Sequence, residues 1–320
     1  MPDQFSANPF SANTVAAPTA LHQRLLSGAL RRTLRTLMKP LFHPRVPVSA
    51  MRAGLRALSS AMPSAAGVRF QPLMLGRVPG ECADPSEHND QAVLYLHGGA
   101  YLVGSPATHR NITSHLARAA NACVYAIDYR LAPEHPFPAA LDDVVDAFQW
   151  LLQNGYRADQ ITLAGDSAGG GLALATAVRL GNEGKPMPKG LLLLSPWADL
   201  GNPMAEQPIT VDEIMLNWHM LQQAAQRYAP DQLDHQYVSP LSADLAGLPP
   251  TLIIVGDQEI LLSDSERLLA GMQQAGSPVE LYLFAGMWHV FVAHAGLLSN
   301  ANLAIRLMAE RVAAGSTETG

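Results

Sequence analysis

Only two cysteines occur in the 320-residue chain, Cys82 in a polar, loop-like stretch and Cys123 in an apolar run. Two thiols predict neither a disulfide framework nor a metal cluster, and their scarcity suits a reducing cytoplasm. Charge is sparse too: charged residues make up 15% and the net charge is −6. An acidic balance of that kind argues against nucleic acid as a partner. No stretch approaches the roughly 18 consecutive apolar residues of a membrane-spanning helix. The opening MPDQFSANPF lacks a basic start leading into an apolar core, so no secretory signal is expected. No internal repeat is visible. What is abundant is apolar surface: hydrophobic residues make up 48%, enough to bury the core of one large α/β domain or two smaller ones.

The charge is unevenly placed. Residues 1–60 hold Arg24, Arg31, Arg32, Arg35, Lys39, Arg45, Arg52 and Arg56 against the single acid Asp3. Leu21, Leu25, Leu26, Leu30, Leu34, Leu37 and Met38 recur at helical spacing among these arginines. Such a helix could lie on a membrane surface or act as a transit peptide. The preferred reading packs its leucine face on the domain, since basic amphipathic helices are ordinary protein surface. The Ala/Ser/Asn/Pro-rich residues 1–20 are expected to be loosely ordered, and 41–49 to form a linker.

From residue 68 onward short apolar runs alternate with helical stretches. The strands expected are 68–75, 92–96, 123–128, 161–165, 191–194, 251–256 and 279–284, with helices at 107–121, 138–154, 167–181, 263–275 and 297–314. This rhythm predicts an α/β fold, a mostly parallel sheet with helices on both faces. Residues 200–245, with Met204, Met215, Met220 and Trp218, interrupt it at the carboxyl end of a strand. That is where α/β proteins place substrate-facing structure, so a cap insertion is expected there.

Gly165-Asp166-Ser167-Ala168-Gly169 fits the short pattern G-x-S-x-G. It follows the run ITLAG and opens a helical stretch, the setting a nucleophile elbow requires. A phosphate-binding turn is the alternative, but no Lys follows the glycines as a P-loop needs. A serine hydroxyl needs a base to take its proton. His289 stands just after the last strand, in the chain order this mechanism expects, and His294 is the weaker candidate. Asp257 and Glu259 follow TLIIVG, and spacing does not choose between them as the acid that orients the histidine. Asp264 reads as a helix-starting carboxylate. After AVLYL, His97-Gly98-Gly99-Ala100 offers backbone N–H groups for an oxyanion, joined by that of Ala168.

The blocks HGGAYLVGS (97–105), DYRLAPEHPFPAALDD (128–143), GDSAGGGLAL (165–174), SPWADL (195–200), LPPTLIIVGDQEILLSDS (248–265) and GMWHVF (286–291) together resemble the hormone-sensitive-lipase-type bacterial carboxylesterases. These are α/β-hydrolases, and the resemblance runs from about residue 68 to 315. It implies hydrolysis of short-to-medium acyl esters by a serine hydrolase without cofactor or metal. It also implies N-terminal cap helices within 1–60 and a catalytic domain over 61–320. Carried over, Ser167 is the nucleophile, His289 the base and Glu259 the acid, with Asp257 the alternative. Gly98, Gly99, Ala100 and Ala168 make the oxyanion hole. Ala100 departs from the family's glycine, and its N–H is expected to serve if its φ is negative. Asp166 and His97 are read as braces. A lactonase or an amidase or deacetylase would share this site, and a non-catalytic ligand-binding protein would share the fold. Relatives that dimerise through a sheet edge make a homodimer possible.

Overall fold

Strand residues of alternating direction divide the core in two. In the computed structural model, which describes residues 10–201 and 212–314, the central strand β4 (Ala92–Leu96) is buried throughout. Its Ala92, Leu94 and Leu96 face one apolar cluster, while Val93 and Tyr95 face the other. That is the period-2 pattern of a strand covered on both sides. Helices α4 (Ala139–Gln153), α5 (Ala168–Asn182) and α7 (Leu262–Gln274) pack the first face. The second is packed by α3 (Arg110–Ala120) and α8 (Ser299–Ala313).

Nine strands form one sheet among the described residues, ordered β1-β9-β8-β7-β6-β4-β5-β3-β2. The parallel body consists of β4, β5 (Cys123–Ile127), β6 (Ile161–Asp166), β7 (Gly190–Leu194), β8 (Thr251–Gly256) and β9 (Val279–Phe284). All six were expected within a residue or so. At the far edge, β2 (Arg69–Leu75) pairs with β3 (Val78–Asp84), and β3 runs antiparallel to β5. Strand β3 lies in a stretch read as loop.

The N-terminal reading needs two corrections. Residues 10–15 are not loose: they form β1 (Phe10–Val15), parallel to β9 along its whole length. The outer edge on that side therefore belongs to β1. After α1 (Leu21–Leu41), the supposed linker leads directly into a second helix, α2 (Val48–Ser59). The leucine face of α1 is also only partly covered. Met38 is buried and Leu26, Leu30 and Leu34 pack on the core, but Leu21 and Leu25 are exposed.

The arginines of this segment tie it to the rest of the chain. Arg31 reaches Asp212 Oδ2 at 2.9 Å, Arg35 contacts the same carboxylate, and Lys39 Nζ donates to Glu213 O at 3.0 Å. Arg52 makes a forked pair with Glu134, both contacts 2.8 Å, and donates to Leu102 O. Of the expected insertion, residues 202–211 lie outside the described residues, and α6 (Trp218–Tyr228) is its helix. No helix among the described residues is long and apolar enough to cross a membrane.

Candidate active site

Strand β6 and helix α5 meet at a single residue, Ser167, whose φ of 54° and ψ of −121° fall in a sparsely populated region. Such a conformation costs on the order of 1–3 kcal/mol and persists only when its surroundings hold it. Here they do. Ser167 N–H donates to Leu194 O at 2.8 Å, and Ser167 O accepts from Gly171 and Trp197 N–H. The flanking glycines are required by space: a Cβ on Gly165 would lie 2.3 Å from Gly169 O, and one on Gly169 would lie 2.0 Å from Leu96 O. The turn can therefore be as tight as it is only with glycine at both places.

His289, in the loop after β9, lines the same cavity as Ser167. His289 Nδ1 lies 2.7 Å from Glu259 Oε2, and both side chains are buried. Burial disfavours the imidazolium, but the Glu259 carboxylate, helped by the charges of Glu213 and Asp166, holds His289 above its ordinary pKa. Of the two carboxylates left open by spacing, Glu259 is the one in contact. Asp257 accepts instead from Gly286 N–H at 2.7 Å. Asp264 sits in the first turn of α7, yet its carboxylate turns to Ala198 and Asp199 N–H. His294 also lines the cavity, and burial pushes it down to about 4, so it is neutral near pH 7.

The oxyanion candidates divide. Gly98 N–H already donates to Asp166 Oδ1 at 3.0 Å, so it is not free for a ligand. The N–H groups of Gly99, Ala100 and Ala168 have no hydrogen-bond partner among the described residues. Ala100 does not have the negative φ expected of it; its φ is 54°. This does not redirect its N–H, whose orientation is set by the Gly99–Ala100 peptide plane. Gly99, at φ 123°, admits no side chain, since a Cβ would meet Val103 O at 2.3 Å.

Three groups escaped the sequence reading. Ser195, at the end of β7, donates from Oγ to Glu259 Oε1 at 2.8 Å and accepts from Val290 N–H at 3.2 Å. It therefore joins the acid to the histidine loop. Its only signal was the block SPWADL. His109 faces Asp166, with Nε2 3.3 Å from Oδ2. Burial pushes Asp166 up, but His109 outweighs it, and the carboxyl is held below its ordinary value. Asp166 also accepts from Tyr95 Oη at 2.7 Å, and with Gly98 N–H on the same oxygen it braces the Gly98 loop. His97 stacks on Tyr129 at 4.3 Å, and burial drives it down to about 3. Third, Glu213 Oε1 accepts from Met215 and Leu216 N–H, and its Oε2 from Ile260 N–H.

The cavity is about 210 Å³ and largely apolar. Its far wall is built by Leu30, Leu34 and Leu37 of α1, Leu55 and Leu58 of α2, and Leu216. A strained serine, a carboxylate-held histidine and free N–H groups thus open on one hydrophobic pocket. The combination suits attack on a carbonyl that carries an apolar chain.

Comparison with known proteins agrees. A model of the α/β-hydrolase fold matches residues 93–293. An acetyl-hydrolase of Streptomyces hygroscopicus is 42% identical over 219 residues, 68% of this chain and 73% of its own. An esterase of Acinetobacter venetianus is 37% identical over 267 residues, 82% and 86% of the two chains. A solved esterase of the bacterial hormone-sensitive lipase family superposes with a TM-score of 0.84 at 35% identity, covering 93% of this chain and 99% of its own. The chain belongs to the α/β-hydrolase family and, within it, to the bacterial hormone-sensitive-lipase group.

Proposed function

We propose that the protein is a serine carboxylesterase acting on short-to-medium acyl esters, with Ser167 as nucleophile, His289 as general base and Glu259 as the orienting acid. The observation that carries this reading is the shared cavity, onto which Ser167, His289 and the Gly99–Ala100 backbone all open. His289 Nε2 takes the Ser167 hydroxyl proton as Oγ bonds to the ester carbonyl carbon. The N–H groups of Gly99, Ala100 and Ala168 hold the oxyanion that forms, each worth about 2.7–4 kcal/mol of barrier. As the tetrahedral centre collapses, the C–O bond breaks and the alcohol leaves with the proton from His289. Water, deprotonated by the same nitrogen, then attacks the acyl-enzyme and releases the acid and Ser167.

The relatives' names, acetyl-hydrolase and esterase, support an ester over an amide or a lactone as the substrate. Helices α1 and α2, together with the segment around α6, act as the cap over the acyl site, and the scarcity of cysteine supports a cytoplasmic location. The test is Ser167→Ala assayed with p-nitrophenyl butyrate. Turnover should fall by at least about 10⁴-fold while the melting temperature stays close to that of the parent. Retained turnover in a folded variant would overturn the proposal.

A further inference from the structure

The chain's two cysteines, distant in sequence, come to one face of the antiparallel β3–β5 pair. Cys82 of β3 pairs with Tyr125 of β5, and Ala83 with Val124. Pleat alternation then places Cys82, Asp84, Cys123 and Tyr125 on one face. Cys82 stands directly opposite Tyr125, so Cys123 is its diagonal neighbour. His88, in the loop after β3, closes the group. One Asp84 oxygen, one His88 ring nitrogen and Cys123 Sγ all lie within 4.8 Å of one another.

We propose that Asp84, His88 and Cys123 form a three-residue binding site for a borderline-soft divalent cation of the Zn²⁺ type, with Cys82 beside it on the same face. A thiolate, an imidazole and a carboxylate are donors such an ion takes, and three protein ligands leave the fourth position of a tetrahedral site to water. The groups behind these donors are also in place. His88 Nδ1 is 3.2 Å from Asn89 O, and the tautomer that donates there leaves Nε2 as the ligand atom. Asp84 is held by Ser86 N–H and Gln71 at 2.8 Å and by Arg69 at 3.2 Å, which fixes its carboxylate. The charges close as well: one thiolate and one carboxylate neutralise a dication.

Position separates this site from the ester chemistry. It lies where β5 begins, whereas Ser167 follows the carboxyl end of the parallel strand β6. The ion would therefore clamp β3, β5 and the loop through His88, and touch no reacting atom. Binding expels the Cys123 thiol proton to solvent, so affinity should rise with pH. It should also raise the melting temperature through ligand linkage. Two cysteines far apart along the chain predict no metal cluster; the β3–β5 pairing brings Cys123 to Asp84 and His88.

The test uses untagged, prereduced full-length protein titrated with Co²⁺ and Zn²⁺. One equivalent of Co²⁺ should produce a thiolate-to-cobalt charge-transfer band with tetrahedral d–d bands, and Zn²⁺ should abolish both. Because the chain holds only two cysteines, any such band reports these two. His88 is exposed, so His88→Ala should fold normally and bind at least about tenfold more weakly. Cys123→Ser should lose the charge-transfer band. Ester turnover should be the same with and without Zn²⁺. Absence of the charge-transfer band in the folded, reduced protein would overturn the proposal, as would unchanged affinity in His88→Ala.

Discussion

Glu259 holds His289 through a 2.7 Å contact between Oε2 and Nδ1, in a place where both side chains are buried. The carboxylate is itself fixed from behind, by Ser195 Oγ at 2.8 Å and Gly256 N–H at 2.9 Å on its other oxygen. In the proposed reaction it keeps the imidazole in the tautomer whose Nε2 is a base and stabilises the cation that forms. Glu259→Gln should therefore lower kcat by about 10⁴-fold, the loss seen when a triad acid becomes an amide. Asp257→Asn keeps an oxygen for Gly286 N–H and should stay within a few-fold of the parent. Steady-state kinetics on the two variants decide the assignment, and a crippled Asp257→Asn would reverse it.

The same contact sets a pH dependence. Burial alone would lower the His289 pKa, and Glu259, helped by the charges of Glu213 and Asp166, more than reverses that. The base form then exists only above a value higher than the ordinary histidine value of about 6.5. The rising limb of kcat/KM against pH should sit above that value in the parent and move down in Glu259→Gln. Stability runs the other way. A histidine with a raised folded pKa contributes stability that is fully present below its unfolded value and lost as pH rises through the folded one. The melting-temperature advantage over His289→Gln should accordingly shrink as pH is raised from about 6.5.

Ser195 links three elements through one hydroxyl, donating to Glu259 and accepting from Val290 N–H. Ser195→Ala leaves a buried N–H without a partner and takes one hydrogen bond from the carboxylate. The cost should be about 1–3 kcal/mol in denaturant unfolding. Turnover should fall about tenfold as the histidine loop loosens, an effect on the order of 1.4 kcal/mol of barrier. Unchanged kinetics would mean that Gly256 N–H alone positions the acid.

The parallel strands and the elbow were legible because their signals are local: apolar runs, glycines where a strand turns into a helix, and motifs in a set order. The elements missed lack such signals. Strand β3 carries Pro79, Gly80 and Glu81, which interrupt any apolar run; it is a strand because β5 and β2 pair with it on both sides. Strand β1 is FSANTV, too polar to read as a strand until β9 offers it an edge. Helix α2 was hidden behind Pro44 and Pro47, which read as linker although Pro47 immediately precedes the helix. At the site, residue spacing left Glu259 and Asp257 open and the family resemblance chose Glu259, while the loss of Gly98 N–H to Asp166 depends on side-chain directions across the sheet. Spacing along the chain carries no information about those.

Gly99 and Ala100 are adjacent, both have positive φ, and they should respond to substitution in opposite ways. Gly99→Ala places a methyl 2.3 Å from Val103 O at a φ of 123°, so the oxyanion loop must shift and activity should be lost. Ala100→Gly removes a side chain from a left-handed position, where the Cβ costs roughly 1–2 kcal/mol. It leaves the N–H in place. That variant should keep turnover within a few-fold and lose no melting temperature. Loss of turnover in Ala100→Gly would show that the Ala100 methyl shapes the mouth of the cavity.

Chain-length preference should follow the wall built by α1. Leu34 lines the cavity and packs on the core from a helix outside the sheet. Each methylene an acyl chain buries there is worth about 0.8 kcal/mol, or about fourfold in kcat/KM. A series of p-nitrophenyl esters should therefore climb from acetate towards butyrate and level off where the cavity of about 210 Å³ is filled. Leu34→Trp takes up part of that space, so the climb should stop one or two carbons earlier while acetate turnover changes little. Leu34→Ala should extend it. A profile identical in all three proteins would place the acyl chain somewhere other than under α1, and the cap assignment would fall with it.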